Sequence, residues 1–152
     1  IYWLKERGIV YVEQPMPKET TKEMEWLSQH SPLPTIADEA VQRLSDLFEL
    51  KNRFHGVNIK LMKCTGIREG YLMAKVAKSL GLKVMIGCMT ESSCGIAAAA
   101  QLAPLADWVD LDGHFLLADD PFEGLGFEDG VIQLSEQNGL GVFPKHLFWA
   151  NQ

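Results

Sequence analysis

Five short apolar stretches of this chain each end in ionisable residues, and these ends carry its candidate chemistry. The stretches are IVYVEQP (Ile9–Pro15), PTIADEA (Pro34–Ala40), GVNIKLMK (Gly56–Lys63), KVMIGCMTES (Lys83–Ser92) and DWVDLDG (Asp107–Gly113). They recur about every 25 residues, and segments with helical spacing lie between them. Because the carboxyl ends of parallel strands share one edge of a sheet, we expect the ionisable side chains to converge on a common site.

The first two candidates are the carboxylates Glu13 and Asp38, one repeat apart. On neighbouring strands they would face the same edge of the sheet. A hard cation such as Mg²⁺ prefers such oxygen ligands and usually keeps positions open for water or substrate. Either acid alone could instead cap the following helix or pair with a lysine. The pair, at the ends of two buried strands, favours a metal site.

Lys60 lies within the apolar sequence VNIKLM, where an ammonium group would be poorly solvated. Desolvation or a nearby cation lowers the pKa of a lysine toward neutrality, which would make Lys60 a usable general base. The alternative is a structural ion pair. Lys63, three residues further on, is expected to be an ordinary surface or loop lysine.

Asp110 and Asp112 are two residues apart, so on an extended strand both side chains would lie on the same face. Two such carboxylates repel each other unless a metal, a Lys or Arg, or the ammonium group of a ligand lies between them. An Asp-Gly turn could explain Asp112 alone, but it does not explain Asp110. Glu91 precedes a pair of serines and is expected in the first turn of a helix, where the helix dipole favours an acid.

The segments between the stretches must position these side chains, and their spacing predicts helices. The clearest apolar stripe consists of Leu72, Val76 and Leu80, flanked by Met73 and Ala77 and ended by Gly81. Further helices are predicted after a Thr20–Glu23 capping box, over Val41–Phe48 and over Ile96–Leu102. Alternating strands and helices imply a parallel sheet with right-handed crossovers. After Gly113 the pattern gives way to a Gly/Asp-rich segment and a short run, Val131–Leu134.

Two α/β architectures fit this order: a doubly wound sheet or part of a (β/α) barrel. No glycine-rich turn of the nucleotide-binding kind follows a strand. Ionisable residues at the ends of several different strands favour the barrel. A complete barrel has eight strands and about 250 residues. We therefore expect residues 1–152 to form one partial barrel domain whose N-terminal units are missing.

The composition excludes several classes of function. The net charge of −6, without a cluster of Lys or Arg, argues against nucleic acid and anionic membranes as partners. No apolar run reaches the roughly 18 residues of a membrane span. Cys64, Cys88 and Cys94 form an odd set without a CxxC pair, which favours reduced thiols and a cytoplasmic protein. The absence of an initiator Met, with a helix-like Ile1–Arg7, indicates a piece of a longer chain.

Together, YVEQPMP, TIADEA, NIKLMKCTG, GCMTES and DLDGHFLLADDPF resemble the enolase superfamily. Within its muconate-lactonizing-enzyme subgroup they most resemble the dipeptide epimerases, from about Gly8 to about Val142. The resemblance implies a (β/α)7β barrel preceded by an α+β capping domain, with this chain supplying strands four to eight. It also implies Mg²⁺ as the cofactor, a small-molecule dipeptide as the substrate and, as for many members, a homo-oligomer.

The resemblance also implies roles for individual residues. Glu13 and Asp38 would be the second and third Mg²⁺ ligands, Lys60 one of two catalytic lysines, and Asp110 with Asp112 the holder of the substrate's α-ammonium group. The residues expected to shape the substrate pocket are Val57, Cys88, Met89 and Thr90.

The implied reaction is a 1,1-proton transfer at the α-carbon of the dipeptide's C-terminal residue, through an enediolate that Mg²⁺ stabilises. Muconate cycloisomerase and o-succinylbenzoate synthase of the same superfamily are alternatives, as is a non-catalytic barrel fragment or interaction module. The first metal ligand and the opposing lysines belong on earlier strands. We therefore expect this chain to be inactive alone.

Overall fold

A parallel sheet of five strands forms the centre of the protein in the computed structural model, which describes residues 1–145. The strands are β1 (Val12–Glu13), β2 (Thr35–Ala37), β3 (Gly56–Lys60), β4 (Lys83–Gly87) and β5 (Trp108–Val109). Each strand pairs in parallel with the next, so every predicted strand is present. The predicted domain extends to residue 152, and its residues 146–152 lie outside the described part.

The order and the curl of this sheet decide between the two architectures. The strands follow one another in sequence order, without the reversal that marks a doubly wound sheet. The rings of Tyr11, just before β1, and Trp108 in β5 lie only 5.0 Å apart between centroids. In a flat sheet, strands four positions apart would be separated by roughly 19 Å. The sheet is therefore a half-barrel, which confirms the partial-barrel prediction.

The two faces of the half-barrel differ in chemistry because successive side chains of a strand alternate in direction. Val57, Ile59, Val84 and Ile86 belong to the buried core that the strands share with the helices. Their neighbours Asn58 and Lys60 point to the opposite, concave face. Val57 is wholly buried on the helix side, so its predicted place in a substrate pocket is wrong.

Within residues 1–145, five α-helices accompany the strands: α1 (Tyr2–Lys5), α2 (Thr21–His30), α3 (Leu47–Leu50), α4 (Ile67–Ser79) and α5 (Ser93–Ala100). α4 ends as predicted, because Gly81 takes a positive φ of 80° and lets Leu82 N–H donate back to Ala77 O. The predicted stripe of α4 is shifted, however. The helix buries Gly70, Met73, Ala74 and Ala77, whereas Leu72 is exposed. Small residues allow the helix to lie close to the sheet, and this closeness selects the buried face.

Two other details of the helix predictions are wrong. The segment predicted as one helix over Val41–Phe48 contains a short 3-10 turn followed by α3, and Phe48 is exposed while Leu47 is buried. At the start of α2, the hydroxyl of Thr20 donates to Pro17 O at 2.6 Å instead of capping the helix. In both places a local loop satisfies the backbone in a way that apolar spacing does not reveal.

Between β5 and residue 145 the chain forms a 3-10 helix, Gly113–Leu116, and two small antiparallel pairs of strands. One pair joins β6 (Phe122–Glu123) to β9 (Phe143–Pro144), and the other joins β7 (Gly126–Glu128) to β8 (Val131–Gln133). The run predicted at Val131–Leu134 is β8, reached through a tight Asp129–Gly130 turn with both φ angles positive. Within residues 1–145, no helix has the length and apolar character needed to span a membrane.

Candidate active site

Three of the predicted side chains meet at the carboxyl ends of β1, β2 and β3. Glu13 ends β1, Asp38 follows β2 directly, and Lys60 ends β3. The Nζ atom of Lys60 lies 2.8 Å from Asp38 Oδ2 and 4.0 Å from Glu13 Oε1. The parallel arrangement thus brings the three groups together, and the roles given to them stay predictions.

Lys63 joins the same cluster, so its prediction as an ordinary surface lysine is wrong. Its side chain is only 13% exposed. Its Nζ donates to Asp38 Oδ1 at 2.5 Å, to Asp38 O at 2.7 Å and to Asn58 O at 3.1 Å. The chain turns immediately after β3, which directs the long side chain back toward the strand ends.

The charges of the cluster are interdependent. Burial alone would raise the pKa of Asp38, but hydrogen bonds from Lys60 and Lys63 outweigh it and lower this pKa. Burial alone would lower the pKa of Lys60, but the contact with Asp38 outweighs it and raises this pKa. The lowered pKa expected of a general base is therefore absent while Asp38 is the partner of Lys60. In this state Lys60 forms a structural ion pair, which was the alternative to a role as general base.

Glu13 is in a different environment. Burial raises its pKa, and the charge of Asp38 raises it further, against the effect of a hydrogen bond from Asn58. Two partly buried carboxylates therefore lie near enough to repel each other, balanced by the ammonium groups of Lys60 and Lys63.

Two amide side chains that are not among the predicted site residues also hold the cluster. Asn58 donates from Nδ2 to Glu13 Oε1 at 2.7 Å. Gln14 accepts N–H bonds from Asp38 at 2.9 Å and Ala40 at 3.2 Å. The backbone of Gln14 has a φ of 34°, which is uncommon for a residue other than glycine. A polar amide inside or directly after an apolar stretch was the available signal in both cases.

Asp110 and Asp112 lie at the end of β5, but not on one extended strand. The N–H of Asp110 donates to Ile86 O at 3.0 Å and continues the parallel ladder. Asp112 precedes the 3-10 helix with a helical backbone. Burial raises the pKa of Asp110, and the charge of Asp112 raises it further. Within the described residues, no Lys or Arg forms an ion pair with either carboxylate, so a cation from outside would relieve their repulsion.

The end of β4 contributes Cys88 and Met89 to the same edge. The Sγ atom of Cys88 accepts the N–H of Gly113 at 3.3 Å, and burial raises the pKa of the thiol. Met89 is 47% exposed, and Thr90 is exposed beside it.

Glu91 does not lie in the first turn of a helix, so that prediction is wrong. It is two residues before α5, is buried, and accepts the N–H of Met89 at 3.1 Å. The start of α5 is held by Asp120 instead, which accepts both the N–H and the hydroxyl of Ser93.

The donor chemistry of Glu13 and Asp38 fits part of a Mg²⁺ site. Both offer carboxylate oxygens from adjacent strands, and Mg²⁺ is commonly held by one or two carboxylates together with substrate and water. Among residues 1–145, no group of three or more His, Cys, Asp or Glu side chains is arranged to hold a metal. A complete site would thus need a ligand from outside the described residues.

Comparison with known proteins places this geometry in a family. The sequence profile described as enolase C-terminal domain-like matches residues 1–146. The chain belongs to this enolase C-terminal domain-like family. This family member is 54% identical over 142 residues to the L-Ala-D/L-Glu epimerase of Bacteroides thetaiotaomicron. The aligned segment covers 93% of this chain and 37% of that protein.

Solved structures agree with the half-barrel of this enolase C-terminal domain-like chain. A substrate-liganded L-Ala-D/L-Glu epimerase from Bacillus subtilis superposes with a TM-score of 0.87 at 30% identity, covering 95% of this chain and 42% of that one. A muconate lactonizing enzyme superposes with a TM-score of 0.89 at 28% identity, covering 97% of this chain and 43% of that one. The chain spans about two-fifths of the length of these relatives. The resemblance to the enolase superfamily and the C-terminal half-barrel fold are confirmed.

Proposed function

We propose that the protein containing this chain is an isomerase, a Mg²⁺-dependent dipeptide epimerase that acts by 1,1-proton transfer at the α-carbon. The observation that supports this most is the meeting of Glu13, Asp38 and Lys60 at the ends of three adjacent parallel strands. The 54% identity to an L-Ala-D/L-Glu epimerase supports a dipeptide as the class of substrate.

Glu13 and Asp38 are the proposed metal ligands, completed by a group outside the described residues. When bound, Mg²⁺ would hold the substrate's carboxylate and offset the negative charge that develops on it as the α-proton leaves. Asp38 engages one lysine with each carboxylate oxygen. An amine that removes protons must be free of such a partner, so we propose that Lys60 leaves Asp38 when the site is loaded.

Lys60 is proposed to exchange the proton. For one epimer its neutral Nζ would take the α-proton, and the electron pair of the broken C–H bond would pass into the enediolate. A second lysine outside this chain would then donate a proton to the opposite face and invert the centre. For the other epimer the ammonium form of Lys60 would be the donor. The concave face of β3, where Lys60 ends the strand, is the side open to a substrate.

Asp110 and Asp112 are proposed to hold the dipeptide's α-ammonium group. Burial raises the pKa of Asp110 and the charge of Asp112 raises it further, and a ligand cation between the two carboxylates would remove their repulsion. Cys88 and Met89, at the neighbouring strand end, are proposed to contact the substrate, and the exposed Met89 is the freer of the two to reach it.

The experiment is α-proton exchange of L,L-dipeptides in D₂O, followed by NMR, on the protein that includes the upstream strands. We expect Lys60→Ala to abolish exchange from at least one epimer and to stop epimerisation. Lys75→Ala, a change at an exposed lysine of α4, is the matched control and should retain exchange. Undiminished exchange from both epimers in Lys60→Ala would contradict the role given to Lys60.

A cycloisomerase or o-succinylbenzoate synthase function is the second candidate, because the fold matches a muconate lactonizing enzyme as closely. Substrates of those reactions carry no α-ammonium group. Asp110→Asn should therefore impair turnover of dipeptides but leave cycloisomerisation or dehydration largely unchanged. If the unmodified protein turns over only the second kind of substrate, the epimerase proposal is wrong.

The setting of the enzyme is also proposed. The described cysteines Cys64, Cys88 and Cys94 are all free thiols, which supports a cytoplasmic protein. The net charge of −6 supports small molecules, not nucleic acid or membranes, as partners. A homo-oligomer is proposed from the superfamily resemblance, and light scattering coupled to size exclusion would test it.

A further inference from the structure

Asn58 is a buried polar residue on the concave face of β3, two residues before Lys60. It is 2% exposed, and a buried amide costs free energy unless it is hydrogen-bonded. Its Nδ2 donates to Glu13 Oε1 at 2.7 Å, which joins β3 to β1 across the intervening strand β2. The bond therefore lies beneath the cluster formed by Glu13, Asp38 and Lys60, on the side toward the interior of the sheet.

The amide of Asn58 is satisfied only on the side that faces Glu13. An ionised carboxylate can only accept, so Asn58 must present its NH₂ group to it. Within residues 1–145 the Oδ1 atom of Asn58 is buried and has no hydrogen-bond partner. An apolar side chain would avoid that cost, so stability of the sheet alone does not explain an asparagine here.

Gly87 on β4 provides the space for this amide. A Cβ atom at position 87 would lie 2.7 Å from Asn58 Nδ2 and 2.9 Å from its Cγ, closer than real contacts allow. Gly87 is not among the glycines with positive φ, so its backbone conformation does not require glycine. Position 87 therefore lacks a side chain where the amide of Asn58 needs the space.

The carboxylate of Glu13 is consequently held by one oxygen. Both Asn58 Nδ2 and the more distant Lys60 approach Oε1, and no residue between 1 and 145 makes a hydrogen bond or ion pair with Oε2. We propose that Asn58, seated against Gly87, is a positioning residue that fixes Glu13 through Oε1 and leaves Oε2 for the metal. This inference rests on the proposed function, because it assumes that Glu13 is a Mg²⁺ ligand.

The test is the affinity for Mg²⁺ alone, measured by titration calorimetry without substrate on the protein that includes the upstream strands. We expect Asn58→Ala and the similarly shaped Asn58→Leu to weaken Mg²⁺ binding by about 10- to 100-fold, the usual effect of losing a partner of a metal ligand. Gly87→Ala, which displaces the amide without removing it, should weaken binding in the same direction. If Asn58→Ala does not fold, the other two variants decide.

The matched control is Ser28→Ala. Ser28 is also buried, and its hydroxyl bonds to Thr35 and to Arg53 O, at the amino end of the sheet. Its loss should lower the melting temperature but leave Mg²⁺ affinity unchanged. Mg²⁺ affinity equal to that of the unmodified protein in both Asn58 variants would overturn the inference and leave the proposed function standing. An unmodified protein that fails to bind Mg²⁺ would instead overturn the metal site itself, and the inference with it.

Discussion

Lys63→Met is the substitution that most directly tests the cluster as described. The lysine is 13% exposed and contacts three oxygens, two of them on Asp38. Methionine has a similar length but lacks the charge and the donors. The substitution would leave Asp38 Oδ1 and two carbonyl groups without their hydrogen-bond donor in a largely desolvated place.

The expected cost follows from the burial and the remaining partner. Removing one member of a buried ion pair typically costs about 3–5 kcal/mol. Asp38 keeps Lys60 at 2.8 Å, which compensates part of its charge, so we expect a loss of about 2–3 kcal/mol. For a domain of this size each kcal/mol lowers the melting temperature by about 2–4 °C, which gives a fall of about 4–12 °C.

Thermal and urea unfolding, followed by circular dichroism, would measure this loss. The control is Lys75→Met, the same chemical change at an exposed lysine, which should alter the free energy of unfolding by less than about 0.5 kcal/mol. In an Asp38→Asn background, Lys63→Met should cost markedly less, because the charge it pairs with is gone. Equal effects of Lys63→Met and Lys75→Met would refute the buried ion pair.

Three further predictions concern the frame around the site. Gly56→Ala would place a Cβ 2.7 Å from Lys83 O, so we expect a loss of about 1–3 kcal/mol in urea unfolding. Gln14→Ala removes the acceptor of two N–H groups after β2, so hydrogen exchange at Asp38 should become faster. Hydrogen bonds, first that from Arg43, lower the pKa of Glu69 from 4.5 to about 2. Its stabilisation is therefore complete above pH 4.5 and lost as the pH falls toward 2. Glu69→Gln should therefore weaken the dependence of the melting temperature on pH between 2 and 4.5.

Much of this arrangement could be predicted because strand order and strand ends follow from local pattern. Buried parallel strands are apolar on both faces, so each one appears in the sequence as an apolar stretch. The ionisable residues of the site stand at the end of each stretch. The positions of Glu13, Asp38 and Lys60 then follow from the shared edge of the strands. Asp110 and Asp112 were located at the right strand end, although the strand stops before both of them.

The contacts that the sequence did not predict depend on how far side chains extend and on how closely elements pack in three dimensions. Lys63 joins the cluster only because the chain turns back after β3. Asp120 holds Ser93 from a distant loop. On α4 the buried face is set by how closely the helix approaches the sheet. Hydrophobic periodicity carries no information about such distances, and it favoured the larger Leu72 over the smaller residues that allow close packing.

The contact between Tyr11 and Trp108 has a consequence for the order of folding. The two rings belong to opposite edges of the sheet and lie far apart in the sequence, so their meeting closes a very long loop. It can form only after the three strands between them have aligned, because those strands carry the edges toward each other. The curvature of the half-barrel is then a late event, and substitutions of either ring should accelerate unfolding more than they slow folding.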